Sequence, residues 1–132
     1  MAYLLDTNIC IYLINKKNYK LIDKFEEIDK ENINISAITV SELEYGITKS
    51  QYPIKNRLNL NKFLVPLNIL PYTDNSAKIY GEIRAFLERK GQIIGAMDLL
   101  IAAHALSLNL TLITNNEKEF KRIPSLKVEN WV

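Results

Sequence analysis

Short apolar runs of about four or five residues recur along the chain, and each is followed almost at once by the start of an amphipathic segment. The first, Ala2-Tyr3-Leu4-Leu5, ends at Asp6. Such runs, bounded by helix starts, read as buried strands. Strands that alternate with helices must cover both faces of a sheet, which makes that sheet largely parallel. Thr7 or Asn8 can cap a helix that buries Ile9, Tyr12 and Leu13 and breaks at residues 16–18. Leu21, Ile22, Phe25 and Ile28 mark a second helix, and Ile33, Ile35 and Ala37 a second strand. Helices then follow over Thr39–Ser50 and Pro53–Phe63, a strand over Leu67–Leu70, and helices over Asn75–Lys90, stopped by Gly91, and Ala96–Leu108. A strand at Thr111–Thr114, a helical turn at Glu117–Lys121 and a last strand within Lys127–Val132 complete the pattern. The expected architecture is α/β: a small, mostly parallel central sheet between layers of helices.

Composition narrows the class. The 132 residues are 48% apolar and 24% charged, which suits one globular domain and excludes disorder. No stretch approaches the ~18 uncharged apolar residues of a membrane span. Residues 1–5 lack a basic leader, and Asp6 and Asn8 interrupt the apolar start, so the cytoplasm is the expected compartment. The lone Cys10 excludes an internal disulfide framework and a cysteine zinc site, and reads as a small buried hydrophobe. A net charge of +2 is too small to argue for a nucleic-acid partner by itself.

Ligands of open parallel sheets bind beyond the carboxyl ends of the strands. Four acids map there: Asp6 directly after the first strand, Glu42 in the helix after the second, Asp98 at the start of the very apolar helix Asp98-Leu99-Leu100-Ile101-Ala102-Ala103-His104-Ala105, and Glu119 after the strand ending at Thr114. Taken singly, Asp6 reads as a helix cap, Asp98 as a partner of the helix dipole, and Glu42 and Glu119 as surface residues. Together they repel unless something positive lies between them, and their segments carry no Arg or Lys facing partner in the pattern. Oxygen-only ligands favour Mg²⁺ or Mn²⁺ over zinc. A cation so held suits phosphodiester hydrolysis by water, leaving 5′-phosphate and 3′-hydroxyl ends. His104 has no second histidine at ligand spacing and reads as a core histidine.

Leu4-Leu5-Asp6-Thr7-Asn8, Ser41-Glu42-Leu43-Glu44-Tyr45-Gly46, Asp98 to Ala105 and Thr114-Asn115-Asn116-Glu117-Lys118-Glu119-Phe120 occur in an order that resembles the PIN-domain ribonucleases, specifically the VapC-type toxins of toxin–antitoxin pairs. The likeness spans essentially the whole chain, residues 1–132, as one PIN domain. It implies a three-layer PIN fold, Mg²⁺ or Mn²⁺ dependence and site-specific cleavage of an RNA, a transfer RNA or a ribosomal RNA loop. It also implies a VapB-like antitoxin that occludes the site and alone contacts DNA, and a toxin homodimer. By motif position Asp6, Glu42 and Asp98 hold the metal and Glu119 is the fourth acid, where many members have Asp. Asn8, Thr114 and Asn116 would shape the site.

Candidate RNA contacts are Lys16, Lys17, Lys49, Arg84, Arg89, Lys118, Lys121 and Arg122, and a candidate antitoxin groove runs across Tyr12, Leu21, Phe25, Tyr45 and Tyr52. Two other readings fit less well. A receiver-type signalling domain needs paired acids after the first strand and a lysine after a later one. A catalytically silent PIN-type binding protein has no need of the acids.

Overall fold

The computed structural model describes residues 2–132. Five strands, β1 (Tyr3–Leu5), β2 (Ile33–Ser36), β3 (Asn68–Leu70), β4 (Thr111–Ile113) and β5 (Val128–Glu129), form one sheet in the order β3-β2-β1-β4-β5. All four pairings are parallel, so the sheet exceeds the mostly parallel expectation. Seven helices connect them: α1 (Thr7–Ile14), α2 (Tyr19–Glu27), α3 (Ala37–Thr48), α4 (Pro53–Leu64), α5 (Asp74–Arg89), α6 (Ala96–Ser107) and α7 (Glu117–Phe120).

Neighbouring strand residues point to opposite faces. Leu4 and Leu112 join a core with Ile83 and Leu87 of α5, Leu99 and Ile101 of α6, and Phe120. Leu5, Ile33, Ile35 and Ile113 join the opposite core with Ile9 and Cys10 of α1, Leu21 of α2, Leu43 of α3 and Leu60 of α4. The result is the expected three-layer α/β sandwich. Each strand is short because each must only cross this double core once.

Helix starts differ from the sequence reading in an instructive way. Asp6, not Thr7 or Asn8, caps α1: its carboxylate accepts from the Ile9 N–H at 2.9 Å. Ser36 caps α3, which therefore begins at Ala37 rather than Thr39. In both cases the last strand residue or its successor also caps the following helix, so no loop separates them. The last strand is shorter than predicted, Val128–Glu129, because Asn130 to Val132 have no further β4 residue to pair with. After α5 the chain turns through Gly91 at φ +65°, with Gly91 N–H donating to Glu88 O and Gln92 N–H to Leu87 O, a glycine-dependent helix stop that leads into α6.

Candidate functional site at the carboxyl edge of the sheet

The chain builds β1, β2 and β3 outward in one direction, then returns to place β4 on the other side of β1. The reversal lies between β1 and β4, the crevice where open parallel sheets bind ligands. Asp6 follows β1 and Thr114 follows β4, and both are buried, at 5% and 0% exposure. Asp6 N–H donates to Ile113 O at 3.0 Å, locking the two strand ends together. The Thr114 side chain hydrogen-bonds the Asp6 carboxylate, and Thr114 Oγ1 also accepts from Asn116 N–H at 2.9 Å. One strand end thus orients the carboxylate that stands on the other.

The four acids share one electrostatic neighbourhood. Burial raises the Asp6 carboxyl pKa from 3.8 to about 6; the Thr114 and Ile9 hydrogen bonds oppose this, and the Asp98 and Glu42 charges add to it. Burial raises Asp98 as well, reinforced by Glu119 and then Glu42. Among the described residues, none of the four acids makes an ion pair; the ion pairs found join Arg57 to Glu44, Arg84 to Glu88 and Lys121 to Glu117. The negative charge of the crevice is therefore unbalanced by the protein.

Glu42 is held from a neighbour that the sequence reading treated only as a possible cap. The Thr7 hydroxyl donates to Glu42 Oε1 at 2.6 Å and lies 3.3 Å from Thr39 Oγ1. The signal was present in the Asp-Thr-Asn run, where a hydroxyl follows the first acid, but its partner lies 35 residues away. Asn8 is exposed on the first turn of α1, and Asn116 occupies the cap position of α7 without a side-chain cap bond. Glu119 is half-buried one residue before the buried Phe120, which anchors α7.

As they stand, the carboxylates are neighbours but not a closed ligand cage: among the described residues no three His, Cys, Asp or Glu side chains are gathered closely enough to hold an ion.

The other expected contacts divide. Leu21 is fully buried and Phe25 stacks on Phe63 at 6.1 Å, so both belong to the core and not to a docking groove. Tyr45 and Tyr52 are exposed, at 66% and 61%. A groove of about 230 Å³ starts beside Glu42 and runs between α1, α3 and α4, past Ile11, Ile14, Gly46, Ile47 and Leu60. Of the basic residues, Arg84 is engaged by Tyr80 and Glu88, and Arg122 by the Ile93 carbonyl. Lys16 and Lys17 lie beyond the far end of α1, ~15 Å of helix from Asp6. No helix of the described residues is long and apolar enough to cross a membrane.

Fold and crevice together define a class. The chain belongs to the PIN-domain family, whose model matches residues 3–126. It is 50% identical to Ribonuclease VapC2 of Rickettsia felis over 99% of this chain and 98% of that protein. It is 38% identical to the tRNA(fMet)-specific endonuclease VapC of Shigella flexneri, over 99% of this chain and 98% of that protein. The crystal structure of VapBC2 from Rickettsia felis bound to a DNA fragment from its promoter contains a chain that superposes with a TM-score of 0.94 at 49% identity, with 100% of both chains covered.

Proposed function

We propose that this protein is the toxin of a VapBC-type pair, a divalent-metal-dependent endoribonuclease that cleaves a structured RNA in the cytoplasm and so stops translation. The observation that carries the reading is the unbalanced charge of the crevice: a carboxylate 5% exposed, with Asp98 and Glu42 in its electrostatic reach, Glu119 in that of Asp98, and no Lys or Arg paired with them. Near neutral pH, clustered buried carboxylates repel, and a cation between them offsets that cost.

The donors are all oxygens, which suits Mg²⁺ or Mn²⁺. Asp6, Asp98 and Glu42 would hold the ion, with Glu119 beside Asp98. When bound, it would polarise the scissile phosphate and make water a competent nucleophile near neutral pH. The chain's own residues do the positioning. Thr114 and the Ile9 N–H fix the rotamer of Asp6, and the Thr7 hydroxyl holds Glu42 within reach. Asn8, two residues after Asp6, and Asn116, two after Thr114, would border the opening, where polar side chains can meet the sugar–phosphate backbone. Water attack leaves 5′-phosphate and 3′-hydroxyl ends. With so little net charge, selection of the RNA would rest on its shape and unpaired bases rather than on general phosphate attraction.

The whole chain acts in this reading as one PIN domain, working as a homodimer, with a VapB-like antitoxin as its partner. An antitoxin segment would enter the groove beside Glu42, close the crevice and supply the DNA contact that the toxin itself lacks. The relatives support a transfer RNA as the first substrate to try, since one of them is named for tRNA(fMet).

The test is cleavage of total RNA and of initiator transfer RNA by the purified protein with Mg²⁺ or Mn²⁺. Discrete fragments bearing 5′-phosphates, abolished by EDTA and by Asp98→Asn, are expected. Fragments ending in 2′,3′-cyclic phosphate, or cleavage that survives Asp98→Asn, would overturn the reading.

A further inference from the structure

Two of the acids ride on helices that reach the crevice from different parts of the chain: Glu42 on α3 and Asp98 on α6. Away from the acids, these helices share a buried polar contact. His104 Nδ1 lies 2.8 Å from Ser36 Oγ, with His104 at 1% and Ser36 at 0% exposure. Ser36 is the cap of α3, and the same Oγ accepts from the Ile38 N–H at 3.1 Å. The contact therefore joins the body of α6 to the first turn of α3.

Its placement is symmetric. Glu42 stands six residues beyond Ser36, and Asp98 six residues before His104, so each acid is ~9 Å along its helix from the contact. Ser36 meets His104, and Glu42 interacts with Asp98. The helices accordingly pass each other in opposite senses, in contact at the pin and with the two acids within electrostatic reach of each other.

The histidine is an unusual occupant of that position. Its neighbours on α6, Ile101, Ala102, Ala103 and Ala105, are all apolar and fully buried. The edge of the Tyr72 ring packs against it with centroids 5.6 Å apart. The Tyr72 hydroxyl is buried without a hydrogen-bond partner. Burial lowers the His104 ring's pKa, with the Pro71 carbonyl opposing, which keeps the ring neutral. A leucine of similar size would fill this space but would leave the buried Ser36 hydroxyl without its partner on α6.

We propose that His104 is a positioning residue, which through Ser36 fixes α3 against α6 and thereby sets the separation of the Glu42 and Asp98 carboxylates. What those carboxylates then do rests on the ribonuclease reading above; the pin itself does not.

Three variants separate positioning from packing. In His104→Asn the amide branches from the same atom as the ring and returns a polar atom to the place of Nδ1. His104→Gln carries its amide one bond further, and His104→Leu restores no polar atom. Loss of packing alone would harm Asn most, as the smallest of the three. The pin requires the reverse order. His104→Leu should lower kcat for RNA on the order of a hundredfold with KM nearly unchanged, as expected for misplaced catalytic groups. His104→Asn should recover most of that loss, and His104→Gln little.

Amide hydrogen exchange over residues 38–43 supplies a readout independent of cleavage. Exchange should accelerate in the Leu variant and return toward wild type in the Asn variant. Wild-type kcat and α3 protection in His104→Leu, or activities ranked by side-chain size, would overturn the proposal. If the wild type cuts no RNA, the ribonuclease reading fails, while the exchange pattern still decides the pin.

Discussion

Leu5 and Asp6 are adjacent in the chain and nearly equal in burial, at 0% and 5% exposure. Leu5 packs into the core between the sheet and α1, whereas Asp6 carries a carboxylate into a crevice shared with three other acids. The same change recurs across the sheet. Ile35 gives way to Ser36, and Ile113 to Thr114, all fully buried. Along β1, β2 and β4 the chain thus changes from an apolar to a polar residue at the carboxyl edge without leaving the buried interior. Apolar burial stabilises the fold wherever it occurs. Burying a carboxyl or hydroxyl costs free energy unless a partner offsets it. The edge therefore departs from what stability alone would select.

The sharpest break of this contrast is at Asp98. Asp98→Asn removes a charge from the edge without removing volume, and should lower RNA cleavage about a thousandfold or more, read as kcat/KM, while the unfolding midpoint stays near wild type. The mirror experiment is in the interior. Leu112→Ala should cost about 2–5 kcal/mol of stability, read by denaturant titration, because Leu112 is fully buried in the core against α5 and α6.

Asp6→Asn joins the two halves of the comparison. Asparagine retains the cap on α1 and can still accept from Thr114. The Asp6 carboxyl is raised from 3.8 to about 6 in the folded protein, which corresponds to about 3 kcal/mol as an upper bound. Because the folded pKa is the higher one, the wild type is most favoured when this group is protonated and loses that advantage as pH rises through about 6. In EDTA, Asp6→Asn should therefore be more stable than wild type at pH 7.5, with the gain shrinking as pH falls and gone below about pH 4. Denaturant titrations across that range check it. An Asn variant less stable at pH 7.5 would mean that the buried charge is already well compensated.

Smaller effects follow at the margins of the edge. Thr7→Val releases Glu42 from its 2.6 Å hydrogen bond and should cost roughly tenfold in kcat, as for loss of one hydrogen bond to a charged group. Glu119→Gln should have the mildest effect of the acid substitutions, a fewfold loss, since Glu119 bears on Asp98 and is absent among the influences on Asp6.

Much of this was legible in the residues. The alternation of apolar runs with amphipathic segments predicted every strand and helix of the sandwich, because strand and helix periods differ enough to be separated by eye. The four acids were legible as a set because parallel sheets bring every strand's carboxyl end to one edge. Less visible were contacts fixed only by packing. Thr7 reaching Glu42 and His104 reaching Ser36 join residues 35 and 68 apart in the chain. Nothing local distinguishes them. In the candidate docking groove, the apolar stripe that marks the second helix already assigns Leu21 and Phe25 to the core, and the structure packs them there. Asp6 was legible as a cap beside Thr7 and Asn8, whereas the cap at Ser36 was not, since Ser36 is strand end and helix start at once.

The central claim is that the polar edge exists to hold a divalent cation. Its most direct test is calorimetric titration of Mn²⁺ into the wild type and Asp6→Asn at pH 7.5. The wild type should bind, more weakly as pH drops below 6 and protons compete for Asp6, and Asp6→Asn should not bind measurably. Equal binding by both proteins, or no binding by a folded wild type, would contradict it.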